Sequence, residues 1–291
     1  MELSPALRQR LGRARLIAPG TVASGGVGER RSKQRGEGIE FEEHRRYHPG
    51  DDARRIDPSL FARLGTHYVR EYNVSRQLVV TLLLDASRSM RLGTPSKIAT
   101  ARALASGLLR VALAGSDAVQ VGVWRGDRLA WQTRRSGIAR LDDIERWWNG
   151  IEPEGDSDLA AATLQAREQL PADSYTIVVS DFWSDTALAA IDSLAGASQT
   201  LLAVQLLSPE EVHPERYASG ALRMVDVETN DEVEVTLGPL QVDRYRHALG
   251  AWTDDLRQRV QAGGGRFLRV TTDQDADEVF LRALPALGVL Q

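Results

Sequence analysis

The 291-residue chain contains no cysteine, which removes disulfides, thiolate metal sites and cysteine nucleophiles together. Histidine is scarce too. The five are His44, His48, His67, His213 and His247, with no His-Glu-x-x-His among them. His44 and His48 stand four apart, but in a Gly/Pro-rich stretch where no helix is assured, so a zinc enzyme is not expected. No window approaches the ~20 apolar residues of a membrane span, and the N-terminus lacks the apolar stretch of a signal peptide, so a cytoplasmic location is expected. There is no Walker-type phosphate loop; Gly263-Gly264-Gly265 follows a helical pattern and serves as its stop. Any metal chemistry falls to oxygen ligands.

With 42% hydrophobic and 26% charged residues, the chain can bury a substantial core as one large domain or two small ones. Net charge is −4, unevenly spread: residues 1–76 carry 15 Lys and Arg against 10 Asp and Glu, net +5, leaving −9 for the remainder. A basic excess can mark a nucleic-acid or anionic surface. Here the arginines alternate with Glu37, Glu40, Glu42, Glu43, Asp51 and Asp52, with no aromatic-interleaved patch, so a basic arm binding nucleic acid or an anionic surface is the secondary reading.

The pattern divides into an N-terminal extension, 1–76, and an α/β domain, 77–291. Pro5 to Ile17 reads as a short helix, and 19–38, rich in Gly, Ser and Arg, as an exposed loop. From Leu78 onward strands and helices alternate. Leu78 to Leu84 is continuously apolar, as for a strand buried on both faces of a parallel sheet. Thr94-Pro95 reads as a helix start with Thr as N-cap, and Ile98, Ala101, Ala105, Leu108 and Ala112 line one side. Val119 to Trp124 and Leu129 to Gln132 form a hairpin through Gly126-Asp127, adding an antiparallel edge strand. Helices are expected at 141–148, 159–170, 185–194, 240–260 and 275–284, with strands at 175–180, 201–206 and 267–271. A second hairpin is placed around Asn230-Asp231. The expected fold is a doubly wound, mostly parallel sheet with a C-terminal hairpin, whose ligands gather at the carboxyl ends of the strands.

At one such end, Leu82-Leu83-Leu84 runs into Asp85-Ala86-Ser87-Arg88-Ser89-Met90. One carboxylate and two hydroxyls suit a hard divalent cation, Mg²⁺ first, with Mn²⁺ or Ca²⁺ possible, and so few charges leave the ion able to accept another oxygen. This Asp-x-Ser-x-Ser loop resembles the metal-ion-dependent adhesion site of von Willebrand factor A domains. The resemblance implies two more loops. Gly155-Asp156-Ser157-Asp158-Leu159 stands where that family has Gly-x-Thr-Asp-Leu, with Ser157 for Thr, and Asp181 ends the apolar strand Thr176 to Ser180. It further implies that Ser87, Ser89 and Ser157 touch the ion directly, and that Asp85 and Asp181 act largely through water.

Ahead of the sheet lie Gly38-Ile39-Glu40-Phe41, then Arg45-Arg46-Tyr47-His48-Pro49-Gly50-Asp51-Asp52-Ala53-Arg54-Arg55-Ile56-Asp57, then Ala62-Arg63 and Val69-Arg70-Glu71-Tyr72. This run is similar to the signature of the family called domain of unknown function fifty-eight, which places it before a von Willebrand A-like domain. Pro58 stands where that family usually has Trp, and the membrane helices many members carry are missing, which points to a soluble member. The resemblance implies a non-enzymatic interaction module. Its ion would dock an acidic side chain of a client protein, and its partner would be a MoxR-type AAA+ ATPase.

The residues also allow plainer readings. Asp85, Ser87 and Ser89 favour turns after strands in any case, and Ser157 is an ordinary N-cap type. Asp158 reads as a first-turn acid favoured by the helix dipole, and Lys97 as a solvated helix residue. Arg46, Asp51, Asp52, Arg55 and Asp57 read as a charge network that pins the signature segment. Gly155-Asp156-Ser157 also imitates the nucleophile block of one esterase family, but lies mid-chain with no Asp-x-x-His after it, and a serine without a base is a weak nucleophile.

Overall fold

The computed structural model describes residues 1–17, 21–23, 30–32, 40–73, 78–171, 174–195, 200–216, 220–225 and 232–291. It divides into two compact units, 18–77 and 1–17 with 78–291. The first seventeen residues therefore belong to the α/β unit. Their helix, α1 (Pro5–Leu11), is capped by Ser4, whose hydroxyl accepts from the Leu7 amide at 3.1 Å. It buries Leu7 and Leu11 and packs on the helix formed by Lys97–Ala114.

In the unit 18–77, β1 (Thr21–Ala23) pairs antiparallel with β2 (Arg30–Ser32), a short ladder inside the stretch expected to be loop. β3 (Glu40–Arg46) pairs antiparallel with β4 (Tyr68–Asn73), and α2 (Pro58–Leu64) lies between them in sequence. Asp57 caps α2, accepting from the Ser59 and Leu60 amides at 2.9 and 3.2 Å, and its other oxygen meets His44 Nε2 at 2.9 Å. Pro58 suits the first helical position, where no amide proton is needed. Of the expected charge network, the Arg55 side chain lies outside what is described. Asp51 pairs with Arg45 at 2.9 Å and also accepts from the His48 amide at 2.7 Å; the Arg45 bond, then that amide, hold its carboxyl down to about 2. Asp52 instead accepts from the Arg54 amide and caps a single turn.

The α/β unit is built on a six-stranded sheet. Its strands are β5 (Val79–Asp85), β6 (Ala118–Arg125), β7 (Arg128–Ser136), β8 (Ser174–Ser180), β9 (Thr200–Leu207) and β12 (Arg266–Thr271), in the order β12-β9-β8-β5-β6-β7. Only β7 runs antiparallel, as the edge of the hairpin with β6. Every residue of β8, and all but the first of β5 and β9, is buried, which is why these strands read as unbroken apolar runs with no alternation. Hydrophobic burial at about 25 cal/mol per Å² on both faces is the main force holding them together.

One face carries α5 (Leu159–Arg167), α6 (Ala187–Ala195) and α8 (Pro239–Ala262), which pack around Leu83, Val178, Ala203 and Phe267. The alternating residues, Leu82, Leu84, Ile177 and Val179, face the other layer, where α3 (Lys97–Ala114) packs on β5, β6, β8 and β9, with α4 (Leu141–Asn149) beside it. The α3 helix starts two residues later than its sequence pattern predicts, because Ser96 and not Thr94 is the cap that accepts from Ala99.

After β9 comes the single turn α7 (Pro209–Val212), then β10 (Gly220–Val225) paired antiparallel with β11 (Glu232–Leu237); the turn expected at Asn230-Asp231 lies outside the described residues. The last expected helix is a broken one: Ala276–Glu278, a π turn over Val279–Ala283, then Leu284–Ala286. The unit closes on itself at Arg15 and Gln291, which exchange both backbone bonds, and at Ile17, which donates to Val289. No helix among the described residues is long and apolar enough to cross a membrane.

Candidate functional site

The site forms at the carboxyl ends of the adjacent parallel strands β5 and β8, where the two loops that leave them meet the connection between α4 and α5. β5 lies between β6 and β8, so its terminal Asp85 emerges at the middle of the sheet, next to Asp181 at the end of β8. Asp85 folds back on its own loop, one oxygen accepting from the Ser87 amide at 2.8 Å, an Asx turn of the kind Asp forms after a strand. The loop is stitched to the 154–155 segment: Glu154 donates its amide to Ala86, and Arg88 donates to Gly155.

Ser157 is placed by backbone. Gly155 has φ +74°, and a Cβ there would meet the Gly126 backbone at 3.2 Å, so the chain passes close enough for Gly126 and Ser157 to form a bridge. Only glycine combines that dihedral with that approach. Ser157 does not cap α5. Asp158 does, accepting from the Ala161 amide at 3.0 Å, which leaves the Ser157 hydroxyl turned inward, in a long contact of 3.4 Å to Asp85.

All five residues expected from sequence thus gather in one place: Asp85, Ser87, Ser89, Ser157 and Asp181, each buried. Ser87 and Ser89 hydroxyls lie 3.1 Å apart, and Ser89 donates to Asp181 at 2.7 Å. Ser180, which the sequence reading did not single out, donates to Asp85 at 2.6 Å and accepts from the Phe182 amide; a hydroxyl ending an apolar strand just before Asp181 was the available signal. Phe182 holds φ +58°, a left-handed conformation costly for a bulky side chain. The Phe182 bond to Ser180 and the Trp183 amide bond to Asp181, 3.1 Å, fix that turn.

Lys97 is the main correction. It is fully buried, not solvated, with its ammonium 2.6 Å from Asp181 and 2.7 Å from Glu211. Glu211 also receives the Trp183 indole at 3.0 Å and the Ser208 amide at 2.6 Å, completing a capping box on α7. Burial pulls the Lys97 pKa down, but the charges of Asp181 and Glu211 outweigh it and the net shift is upward, so the ammonium stays charged. Asp85 goes the other way for an acid. Burial first and the Asp181 charge second push it up to about 7, against the bonds from Ser180 and Ser87 that favour its anion.

Among the described residues no group of three or more His, Cys, Asp and Glu is arranged to hold a metal ion. A metal here would rest on two carboxylates and three hydroxyls. That donor set fits a hard cation, and the raised Asp85 marks a buried negative charge lacking a full counter-charge. Ser87, Ser89 and Ser157 would supply neutral oxygens, and Asp85 and Asp181 the charge.

Uncharacterized proteins of Mycobacterium bovis and Mycobacterium tuberculosis are each 26% identical over 245 residues, 82% of this chain and 77% of theirs. Among solved structures, BatB from Bacteroides thetaiotaomicron aligns over 72% of this chain and 98% of its own, at 16% identity and TM-score 0.47. An aerotolerance-related membrane protein from Bacteroides fragilis aligns over the same shares at 18% and 0.46. The SpRpn10 VWA domain covers 69% of this chain and 91% of its own, at 6% and 0.39. The family model described as protein of unknown function DUF58 matches residues 43–255, from within β3 through five of the six sheet strands into α8, and the chain belongs to that family.

Proposed function

We propose that this protein is a metal-dependent protein-interaction module. A divalent ion, Mg²⁺ first, sits among Asp85, Ser87, Ser89, Ser157 and Asp181 and completes its coordination with an acidic side chain of another protein. The observation that carries this reading is the convergence of oxygen side chains from three separate loops, buried around a carboxyl pushed up to about 7. Neutral hydroxyls leave the ion electron-poor, and a partner carboxylate is the oxygen donor that would offset this best. By family resemblance the partner class is a MoxR-type AAA+ ATPase, with the chain as adaptor or chaperone between it and a client.

Titration calorimetry of Mg²⁺ and Mn²⁺ into wild type and Ser87→Ala/Ser89→Ala, with circular dichroism to establish folding, tests the ion site. Binding by wild type that is lost in a folded variant supports it. Equal binding by both proteins would place the ion elsewhere. Asp85→Ala should abolish binding, and Asp181→Ala should weaken it less, since a contact through water is partly replaceable. Ester turnover lost in Ser157→Ala would replace the interaction reading with a hydrolase.

A further inference from the structure

Lys97 is a cation built into the site, and no ligand role accounts for it. Its ammonium is completely buried and bonded to Asp181, one of the two carboxylates of the ion site, and to Glu211, which is not of that site. Asp181 Oδ2 already accepts from both Lys97 and Ser89, and its Oδ1 accepts from the Trp183 amide. The carboxylate is occupied on both oxygens. Glu211 is fixed in turn by Trp183, by the Ser208 amide and, through its backbone carbonyl, by Tyr245 of α8 at 2.8 Å. With Asp85, Asp181 and Glu211 ionised and Lys97 charged, the cluster carries a formal charge of minus two, which one divalent ion would cancel. Without Lys97 it would carry minus three.

Resting on the ion site proposed above, we propose that Lys97 is the positioning residue that sets its affinity. It keeps Asp181 from serving as a direct ligand and holds the cluster at a charge that binds a divalent ion only loosely, so that the ion depends on the partner's carboxylate. Glu211 is the second half of the device, because it draws part of the lysine's charge away from Asp181. Two consequences of opposite sign follow. Removing the Lys97 charge frees Asp181 and adds one negative charge beside the ion, so binding tightens. Removing the Glu211 charge leaves Lys97 to act on Asp181 alone, so binding weakens. A unit charge a few ångström from a divalent ion, at an effective dielectric of about 20, is worth more than a factor of about ten in affinity.

The test is Mg²⁺ and Mn²⁺ calorimetry on the full chain as wild type, Lys97→Met, Glu211→Gln and Asp85→Ala, with thermal unfolding with and without ion. Lys97→Met should bind about tenfold tighter or more, and should gain more thermal stability from the ion than wild type does. Glu211→Gln should bind several-fold more weakly, on the order of a single lost charge contact. A folded Lys97→Met that binds no tighter than wild type overturns the inference while leaving the ion site standing. If Lys97→Met folds only when the ion is present, the charge argument is supported. If it folds under neither condition, Glu211→Gln decides, and an affinity equal to wild type overturns the inference. Should wild type, Lys97→Met and Glu211→Gln all fail to bind, the ion reading fails and this inference with it; binding that survives in Asp85→Ala has the same meaning.

Discussion

Asp85 is buried among hydroxyls and one other carboxylate, and its proton is held more tightly in the folded chain than in the unfolded one. Its pKa rises from 3.8 to about 7. Between those values the folded state binds more protons than the unfolded state, so stability falls as pH rises from about 4 to about 7, then levels off. In chelator, urea unfolding should therefore give a wild type less stable at pH 7.5 than at pH 5, by a few kcal/mol at most. Asp85→Asn keeps an acceptor for the Ser87 amide and loses the ionisation, so its profile should be flatter across that window; parallel profiles would mean that Asp85 does not titrate there. The same residue shows what could be read in advance. Asp85, Ser87, Ser89 and Asp181 are legible because each ends or follows an apolar run, and sheet topology sends strand ends to one edge. Lys97 is not, because its partners are 84 and 114 positions away. A lone cation near a helix start carries no local sign of being buried.

Elements were legible where burial is two-sided and blurred where a tertiary contact overrides the local pattern. β5, β8 and β9 stand within a residue or two of their apolar runs. The C-terminal helix, by contrast, is interrupted by a π turn that sets Phe280 against α3, and periodicity does not register such an insertion. That contact explains a glycine in the middle of an 18-residue helix. A Cβ on Gly107 would fall 2.2 Å from Phe280 Cζ and within 2.9 Å of two more ring atoms, and the ring is 1% exposed with nowhere to go. Helix propensity alone says that Gly107→Ala should stabilise by about 1 kcal/mol. Overpacking costs about 1–3 kcal/mol and should win, so the variant is expected to be less stable in urea. Adding Phe280→Leu should recover part of the loss, and a Gly107→Ala chain more stable than wild type would show that the helices part easily.

At the scale of the whole α/β unit, the chain is closed by its own ends. Leu16 and Leu290 face each other across an antiparallel bridge, both buried, and Arg15 and Gln291 complete the ladder. Residues some 270 positions apart in sequence thus make one local cluster, which the composition of 1–17 did not announce, since a short amphipathic helix followed by a Gly-rich stretch reads as an extension. If the closure is part of the cooperative core, Leu16→Ala and Leu290→Ala should each cost about 2–5 kcal/mol. The double variant should cost less than their sum, by about 0.5–3 kcal/mol, because the second change removes a contact already lost. Strict additivity in urea melts would mean that the ends fray independently of the sheet. The ion site can be read through the same unfolding transition: a ligand bound only by the folded state, at 100 times its Kd, adds about 2.7 kcal/mol. Mg²⁺ should therefore raise the midpoint of wild type and of Leu16→Ala alike, since the end cluster and the strand ends share no residue, and should leave Asp85→Ala unmoved. An increment that vanished in Leu16→Ala would show that closing the ends is needed to hold the three loops together.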